Sequence, residues 1–362
     1  MRISIDDIKN NMIIDEDIYN SNGRLILSKG LSVSDENFIK DLLKRNAINK
    51  IKVLMLFDIA KEENEQEDVN VPFEVIKEQE IESFMTDFNN VVNSFEKEII
   101  STISGTGNAK SLENILSETI KTNSGKNTNV FQLLQKFKNS DDLTFVHCNA
   151  VSLTVHTIGK WMKLSESDLK DLSLAGLLFD VGKYALSKDL LRKTTPLTEF
   201  EIEVIRSHVE KSLEILKPYD LNDNIIDAIK YHHERCDGSG YPYGLKGDEI
   251  PLLARILALA DVFVALTSMR PYRNKMTPFA AVKLLETDFM QKLDIVILSD
   301  FINKIASNYI GAELRLSDGN KGEIIFINAN APLRPIVKLK PTGDLLDLSS
   351  KANHDIEIEE FF

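Results

Sequence analysis

The histidines and two of the acidic residues of this chain are arranged in a way that suits a metal site. Five of the six histidines lie between positions 147 and 233, where apolar residues recur at helical spacing. The four candidates for a shared site are His147, His208, His232 and His233. Asp180 and Asp261 lie in the same region, each inside an almost wholly apolar run. A buried carboxylate is costly unless a cation compensates it, and a metal ion is the simplest common partner for several such groups.

Each of these residues also has a structural interpretation. His147 points to the apolar side of its predicted helix, as a hydrogen-bonded core histidine would, and Asp180 and Asp261 could each cap a helix or form a salt bridge. His156 falls half a turn away from His147 on the helical wheel, so we predict that it lies at the surface, as does His354 in the tail. The combination of imidazoles and carboxylates on successive helices favours the metal site.

A glycine-rich loop and three cations accompany the candidate ligands. The loop at 235–247 comes shortly after the His232-His233 pair, and its glycines allow the backbone to approach a ligand closely. A surface connection is the alternative, but the position after the paired histidines favours the rim of a pocket. Lys183, Arg270 and Arg273 could bind phosphate or could be solvated surface charges. Together these features favour a small molecule that carries phosphate.

The elements that must position these residues divide the chain into four parts. Residues 1–56 predict a small α/β module, with an Asn22-Gly23 pair that is typical of a hairpin turn. An acidic linker and a helical connector follow at 57–139, and a helical metal domain occupies 140–310. The remainder, 311–362, predicts a short β appendage and an acidic tail, so the expected fold is mainly α.

Composition excludes several classes of protein. The 362 residues are 43% hydrophobic and 27% charged, as expected for a globular protein, and the net charge of −13 argues against a nucleic-acid polymer or an anionic membrane as partner. The two cysteines exclude a disulfide scaffold and fit a reducing cytoplasm. The N-terminus lacks the apolar core of a signal peptide, and the longest apolar stretch, 250–267, is interrupted by a proline and two charges. We therefore expect a cytoplasmic protein without a membrane span.

The loop and the residues after it resemble the HD-GYP phosphodiesterases. The resemblance rests on the run HHERCDGSGYP at 232–242 and on GLKG at 244–247. Five short segments downstream also match: IP at 250–251, ARI at 254–256, AD at 260–261, ALT at 265–267 and RPYR at 270–273. It covers about residues 140–310, and the two ends of the chain are similar to extensions seen in that family. The run is long enough to make chance agreement an inadequate explanation.

The resemblance implies a helical HD-type domain that holds divalent metal ions, often iron or manganese, and hydrolyses cyclic di-GMP to pGpG or GMP. The implied metal ligands are His147, Asp180, His208, His232, His233 and Asp261. Asp180 and Lys183 match catalytic positions of the family. The positions that match its substrate contacts are Lys183, Tyr241, Arg270 and Arg273.

This chain departs from the family pattern at the histidine of the His-Asp pair. Phe179 precedes Asp180 where the family has a metal-binding histidine, and phenylalanine cannot coordinate. Val264 and Met269 replace two further acids, and Leu143 replaces a glutamate that supports a third metal in some members. We therefore expect one tightly held and one weaker metal ion.

The resemblance predicts a cyclic di-GMP phosphodiesterase with an atypical metal centre, whose activity the missing ligand could impair. A catalytically silent receptor, which binds cyclic di-GMP or a protein partner through the GYP loop, is an alternative. A hydrolase of another cyclic dinucleotide is a second alternative. A homodimer is compatible with each of them.

Overall fold

The secondary structure of the protein, seen in a computed structural model, is mainly helical. The structure describes residues 78–122, 130–134, 143–268, 276–328 and 330–361, and in the N-terminal region residues 2–5, 8, 12–14, 16, 18–19, 25–27, 36–46 and 48–54. The helices are α1 (Glu36–Arg45), α2 (Glu78–Ile103), α3 (Ala109–Thr122), α4 (Val130–Leu134), α5 (Leu143–Trp161), α6 (Glu166–Leu178), α7 (Lys188–Leu191), α8 (Glu199–Arg206), α9 (His208–Leu216), α10 (Asp223–Tyr231), α11 (Leu252–Thr267), α12 (Pro278–Asp288) and α13 (Ile295–Ser307). The strands are β1 (Arg2–Ser4), β2 (Ile13–Ile14), β3 (Ile18–Tyr19), β4 (Leu25–Leu27), β5 (Lys50–Leu54), β6 (Glu313–Leu316), β7 (Lys321–Asn328), β8 (Ala331–Lys340), β9 (Leu345–Asp347) and β10 (Ile358–Phe361). The predicted mainly-α class is confirmed.

A helical unit, Glu74–Ile305, contains most of the helices. Its centre is α11, which is apolar on nearly every side and buried along most of its length. α5 and α6 pack closely beside it and against each other, because Gly176 of α6 has no side chain, and a Cβ atom there would lie 3.0 Å from the Ser152 backbone of α5. Ser165 caps the start of α6 by accepting a hydrogen bond from the Asp168 backbone. These contacts fix α6, and Asp180 follows shortly after the end of this helix.

α2 lies in the region where the sequence predicts a helical connector, and it packs inside the helical unit. Phe84, Phe88 and Phe95 are fully buried. The Phe95 ring meets the edge of Phe145 of α5, with 5.2 Å between ring centroids. α2 therefore supports the helix that carries His147.

The second unit consists of Met1–Phe73 and Ala306–Phe362. It contains a three-stranded sheet in the order β1-β5-β2, the pair β3–β4, and a five-stranded antiparallel sheet in the order β10-β6-β7-β8-β9. The predicted C-terminal strands are present, and Gly319 makes the turn between β6 and β7 with a positive φ of 86°. The predicted Asn22-Gly23 turn lies outside the described residues, although β3 and β4 on either side of it pair antiparallel. Within the described residues, no helix has both the length and the apolar character needed to cross a bilayer.

Candidate metal centre

The carboxylate of Asp180 lies at the centre of the six predicted ligands. Asp180 follows the end of α6, and a single 3-10 turn, Val181–Ala185, begins directly after it. Its side chain is completely buried, with one oxygen 2.5 Å from Lys183 Nζ and the other 3.2 Å from His208 Nε2. Burial alone would raise the pKa of this carboxyl, but the Lys183 ammonium and the His208 imidazole hold the pKa well below its usual value. Asp180 is therefore an anion in an apolar interior.

A close backbone contact fixes the turn that carries Asp180. A Cβ atom at Gly182 would overlap the His208 carbonyl oxygen and would lie 2.5 Å from the Ser212 nitrogen, both in α9. The Gly182 N–H donates to Ser212 Oγ at 2.8 Å, and the Ser212 hydroxyl donates to the Phe179 carbonyl at 2.9 Å. The absence of a side chain at Gly182 thus allows α9 to bring His208 up to Asp180.

One cluster of potential ligands combines His147, Asp180 and Asp261, which come from α5, the residue before the 3-10 turn and α11. Their ligand atoms lie within 4.8 Å of one another, and all three residues are buried. His147 Nε2 is 2.9 Å from an Asp261 oxygen and 3.9 Å from an Asp180 oxygen. Burial would raise the pKa of Asp261, but the hydrogen bond and charge of His147 lower it well below its usual value. This cluster offers one imidazole and two carboxylates.

A second cluster shares Asp180 and adds His208, His232 and His233, again with ligand atoms within 4.8 Å of one another. His208 and His232 each place Nδ1 against the carbonyl three residues earlier in the chain, at 2.6 Å from Ile205 and 2.7 Å from Ile229. Because Nδ1 donates to a carbonyl in both residues, Nε2 is the ring nitrogen left to ligate a metal when it carries no proton. Burial and the neighbouring His208 lower the pKa of His232 to about 4. Burial and His232 likewise lower the pKa of His233.

The donor sets fit a divalent ion. Within the part of the chain that the structure describes, His232 Nε2 is a buried nitrogen with no hydrogen-bond partner. Leaving a buried polar atom unpaired is unfavourable, so an unpaired imidazole nitrogen inside a cluster of ligand atoms indicates a missing partner. Imidazoles together with carboxylates match the ligands that iron, manganese and zinc accept.

Phe179 contacts both clusters without being able to ligate in either. Its side chain is completely buried, and its ring centroid lies 4.9 Å from that of His232 and 5.7 Å from that of His147. An imidazole in this position would adjoin both clusters. The cluster of His147, Asp180 and Asp261 is the one that contains a single imidazole.

The glycine-rich loop is folded back over His233. Tyr241 N–H donates to the His233 carbonyl at 3.2 Å, and its ring stacks on the His233 ring with 4.6 Å between centroids. The Arg206 guanidinium lies 4.8 Å from the centroid of the same tyrosine ring. A side chain at Gly240 would collide with the backbone of residues 233–235, so only glycine permits this fold. Tyr241 thus restrains a potential ligand.

Glu234 anchors the same loop, a role for which the sequence analysis had no prediction. Its carboxylate is buried and accepts hydrogen bonds from the backbone of Tyr243 at 2.7 Å and of Leu245 at 3.0 Å. The only available signal was an acidic residue directly after a histidine pair and before a turn. A carboxylate at that position can accept backbone hydrogen bonds from the loop that follows it.

A cavity of about 580 Å³ opens beside Asp180. His147, Asp180 and Lys183 contribute to its wall, and so do three further cations, Lys188, Arg192 and Lys193, which the sequence analysis did not single out. Apolar side chains such as Leu186 and Leu191 complete the lining. The predicted contacts Arg270 and Arg273, and Met269 beside them, lie outside the described residues.

His156 is buried, which makes its predicted surface position wrong. It is 8% exposed, and its Nδ1 lies 3.0 Å from the Ser173 hydroxyl of α6. The helical wheel assigned one buried face to α5, but α6 covers the side opposite His147 as well. Burial, with a smaller effect of Lys160, lowers the pKa of His156 to about 4. His354, the other histidine predicted at the surface, is exposed as expected.

Comparison with known proteins found a matching family model and several curated relatives. The model is described as an HD domain and matches residues 110–296. A cyclic di-GMP phosphodiesterase of Pseudomonas aeruginosa is 31% identical over 215 residues, which cover 59% of this chain and 52% of that protein. The cyclic di-GMP phosphodiesterase response regulator RpfG of Xanthomonas campestris is 37% identical over 157 residues, covering 42% of this chain and 41% of that protein. The 3'3'-cGAMP-specific phosphodiesterase 1 of Vibrio cholerae is 40% identical over 134 residues, which cover 37% of this chain and 31% of that protein. The chain spans about half or less of the length of these curated relatives.

Gly182→Ala should weaken metal binding as well as stability. The added methyl group must push α9 away from the Asp180 turn, at a cost of about 1–3 kcal/mol, and should separate His208 from Asp180. Urea unfolding and Mn²⁺ titration measure the two effects. Gly159→Ala, which meets only flexible leucine side chains, the nearest being Leu169 of α6, should leave Mn²⁺ affinity unchanged. Unchanged Mn²⁺ affinity in Gly182→Ala would contradict the positioning role.

His156 should make the protein less stable in mild acid. Its pKa is about 4 in the folded chain and 6.5 in the unfolded chain, so between these values the unfolded state binds the extra proton. The free energy of unfolding should therefore fall as pH falls through this window, by up to about 1.4 kcal/mol per pH unit. His156→Gln lacks this proton and should show a shallower pH dependence in urea unfolding. Parallel profiles for the two proteins would contradict the assignment.

Proposed function

The chain belongs to the HD domain family, and from that premise we propose that it is a metal-dependent phosphodiesterase that hydrolyses a cyclic dinucleotide, cyclic di-GMP first among them. The observation that carries this proposal is the buried Asp180 carboxylate, which is common to two clusters of potential metal ligands beside a cavity. A carboxylate shared between two ions is a familiar way to hold a pair of metals at a hydrolytic centre. The named relatives act on cyclic di-GMP or 3'3'-cGAMP, which supports this substrate class.

We assign the six clustered residues as the ligands of the metal centre. His208, His232 and His233 with Asp180 would hold one ion tightly, since they provide four donors, three of them imidazoles. His147 and Asp261 with the same Asp180 would hold a second ion more weakly, since they provide only three donors. Iron and manganese suit such mixed nitrogen and oxygen sites. When bound, divalent ions at this position supply Lewis acidity toward phosphate oxygens and a nucleophilic water at neutral pH.

The protein's own residues then bind and orient the substrate. Lys183 holds its ammonium beside Asp180 and lines the cavity, so it can contact a phosphate oxygen next to the ligands. The stack of Tyr241 on His233 would keep that imidazole in a ligating orientation. A contact between Tyr241 and the substrate, and phosphate contacts by Arg270 and Arg273, remain parts of this proposal.

Phe179 favours a second candidate function, that of a receptor that binds the cyclic dinucleotide without cleaving it. A centre with one filled and one weak site would keep affinity for phosphate and lose part of its catalytic power. Retention of all six other ligand positions favours the enzyme. Metal content and hydrolysis, measured on the same preparation, distinguish the two.

We predict one tight and one weaker metal ion per chain, with hydrolysis of cyclic di-GMP that depends on metal. The test is metal analysis of protein purified anaerobically with Fe²⁺ or Mn²⁺, followed by assays with cyclic di-GMP and 3'3'-cGAMP. Asp180→Asn should abolish the binding of both ions and all hydrolysis. Asp171→Asn is the matched control, because Asp171 is also buried but accepts a hydrogen bond from Asn222. Two equally tight ions, or none, would contradict the unequal sites, and metal-loaded protein without hydrolysis would support the receptor.

Phe179→His should strengthen the weaker site and raise turnover. The new imidazole would supply the missing donor beside Asp180, although replacing a buried ring should cost the apo protein about 1–3 kcal/mol. Metal should restore part of that loss, because a ligand of the folded state stabilises it. Phe301→His, in the buried aromatic cluster with Phe131, should lose stability without gaining metal. A Phe179→His protein that gains neither metal nor rate would show that Phe179 is not what limits the centre.

A further inference from the structure

We propose that the ring of Tyr184 is the surface on which the cavity binds a base of the cyclic dinucleotide, the base of the nucleotide whose phosphate lies beside Lys183. This inference rests on the proposed function and deepens it, because it assigns a base contact to a residue for which neither the resemblance nor the sequence analysis had a role. Metal ions and cations recognise phosphate, which every nucleotide shares with many other small molecules. Preference for a nucleotide requires a further contact, with its base.

Tyr184 enters the cavity from the same short turn as Lys183. Both residues belong to the 3-10 turn Val181–Ala185, and both line the cavity. The Cα atoms of neighbouring residues are about 3.8 Å apart, so the ammonium and the ring are presented to the cavity from adjacent positions. In a nucleotide, a single sugar joins the phosphate to the base. The turn therefore offers a cation and a ring with the spacing that one nucleotide needs.

Buried aromatic rings support the ring of Tyr184. Its centroid lies 5.7 Å from that of Phe145, with 48° between the two planes. Phe145 is completely buried in α5 and meets the edge of the equally buried Phe95 of α2. Packing against this pair restricts the movement of the tyrosine. A ring that is held in place before the ligand arrives loses little conformational entropy when a base stacks on it.

Tyr184 is half-buried, in contrast to the two rings that support it. Part of the side chain therefore remains accessible, and its place in the wall shows that this part meets the cavity. Among the described residues of the wall, Tyr184 is the one that carries a phenol or phenyl ring. Bases stack on aromatic side chains with little dependence on sequence, because every base has a π-face. Guanine and adenine should both fit this surface.

The cavity also offers room and apolar surface for a base beside this ring. Its volume of about 580 Å³ is within the range of pockets that bind small molecules, about 300–1,000 Å³. Leu186 and Leu191 line it, and the Leu186 N–H donates to the Lys183 carbonyl at 3.0 Å, which closes the turn that carries Tyr184. Apolar side chains and an aromatic ring remove the faces of a base from water, which favours binding. A tyrosine that only covered Phe145 would stabilise the fold and leave ligand binding unaffected.

The test compares two ligands that share ribose and phosphate and differ in the base. Dissociation constants for GMP and ribose 5-phosphate, and for cyclic di-GMP at low temperature before turnover is significant, are measured on Mn²⁺-loaded protein. Tyr184→Leu should weaken the binding of GMP and of cyclic di-GMP about tenfold, the equivalent of about 1.4 kcal/mol, and change ribose 5-phosphate binding less than about twofold. Tyr184→Phe keeps the ring and should recover most of the lost affinity. Where the protein turns over, KM of Tyr184→Leu should rise with little change in kcat.

Two further proteins complete the experiment. Tyr243→Leu is the matched control, since it removes the same ring from a side chain that is 61% exposed and lies outside the described wall of the cavity. Tyr184→Trp reports the contact directly, because a base that stacks on an indole quenches its fluorescence. GMP should quench this variant and ribose 5-phosphate should not, beyond any change that the single native tryptophan, Trp161, shows in the wild type.

Each outcome decides the proposal. Equal losses for GMP and ribose 5-phosphate in Tyr184→Leu, or an equal loss of GMP binding in Tyr243→Leu, would show a general effect and overturn the base contact. Unchanged GMP binding in Tyr184→Leu would overturn it as well, and so would a loss in Tyr184→Phe as large as that in Tyr184→Leu. If Tyr184→Leu does not fold, the fluorescence of Tyr184→Trp decides, and an unquenched indole would overturn the contact. A wild-type protein that binds neither cyclic di-GMP nor GMP would contradict the proposed function and the base contact together, whereas wild-type binding with unaffected variants would contradict the base contact alone.

Discussion

The buried negative charge of Asp180 is the constraint on which the rest of the site depends. A completely buried carboxylate loses its hydration, and the compensation comes from Lys183 and from imidazoles on two other helices. The chain must therefore bring α5, α9 and the turn after α6 within a few ångströms of one another. The Gly182 contact with α9 makes that approach possible, and the apolar surfaces of α6 and α11 make it favourable.

Hydrogen bonds to the backbone orient two of the imidazoles. His208 and His232 each donate from Nδ1 to the carbonyl three residues earlier in the chain, so the backbone holds the ring and keeps the proton on Nδ1. His233 depends instead on a neighbour, the stacked ring of Tyr241, and the loop that presents this ring is anchored by Glu234. The glycine-rich loop therefore contributes to the geometry of the centre and does more than border a pocket.

Phe179 lies between two clusters of potential ligands that differ in their number of imidazoles. Its ring packs against one histidine from each cluster, and one of the clusters contains a single imidazole. The cavity beside this cluster carries a concentration of positive charge that is unusual for so acidic a chain. Weakened catalysis and retained affinity for a phosphate ligand are physically compatible, because cations and metal contribute separately to binding.

The sequence by itself determined the mainly-α class, the C-terminal strands and the set of residues that meet at the centre. The spacing of apolar residues indicates helix or strand directly, because it follows the local geometry of the backbone. A charged residue inside an apolar run indicates a buried group that needs a partner, and this too can be recognised from the sequence alone. It led to the wrong position for His156, because a helical wheel shows which residues share a face and not how many faces other helices cover. Only the tertiary structure decided that Phe179 touches both clusters, that Glu234 holds the loop, and that Lys188 and Arg192 line the same cavity as Asp180. Those relations depend on distances between segments far apart in the chain, which packing alone sets.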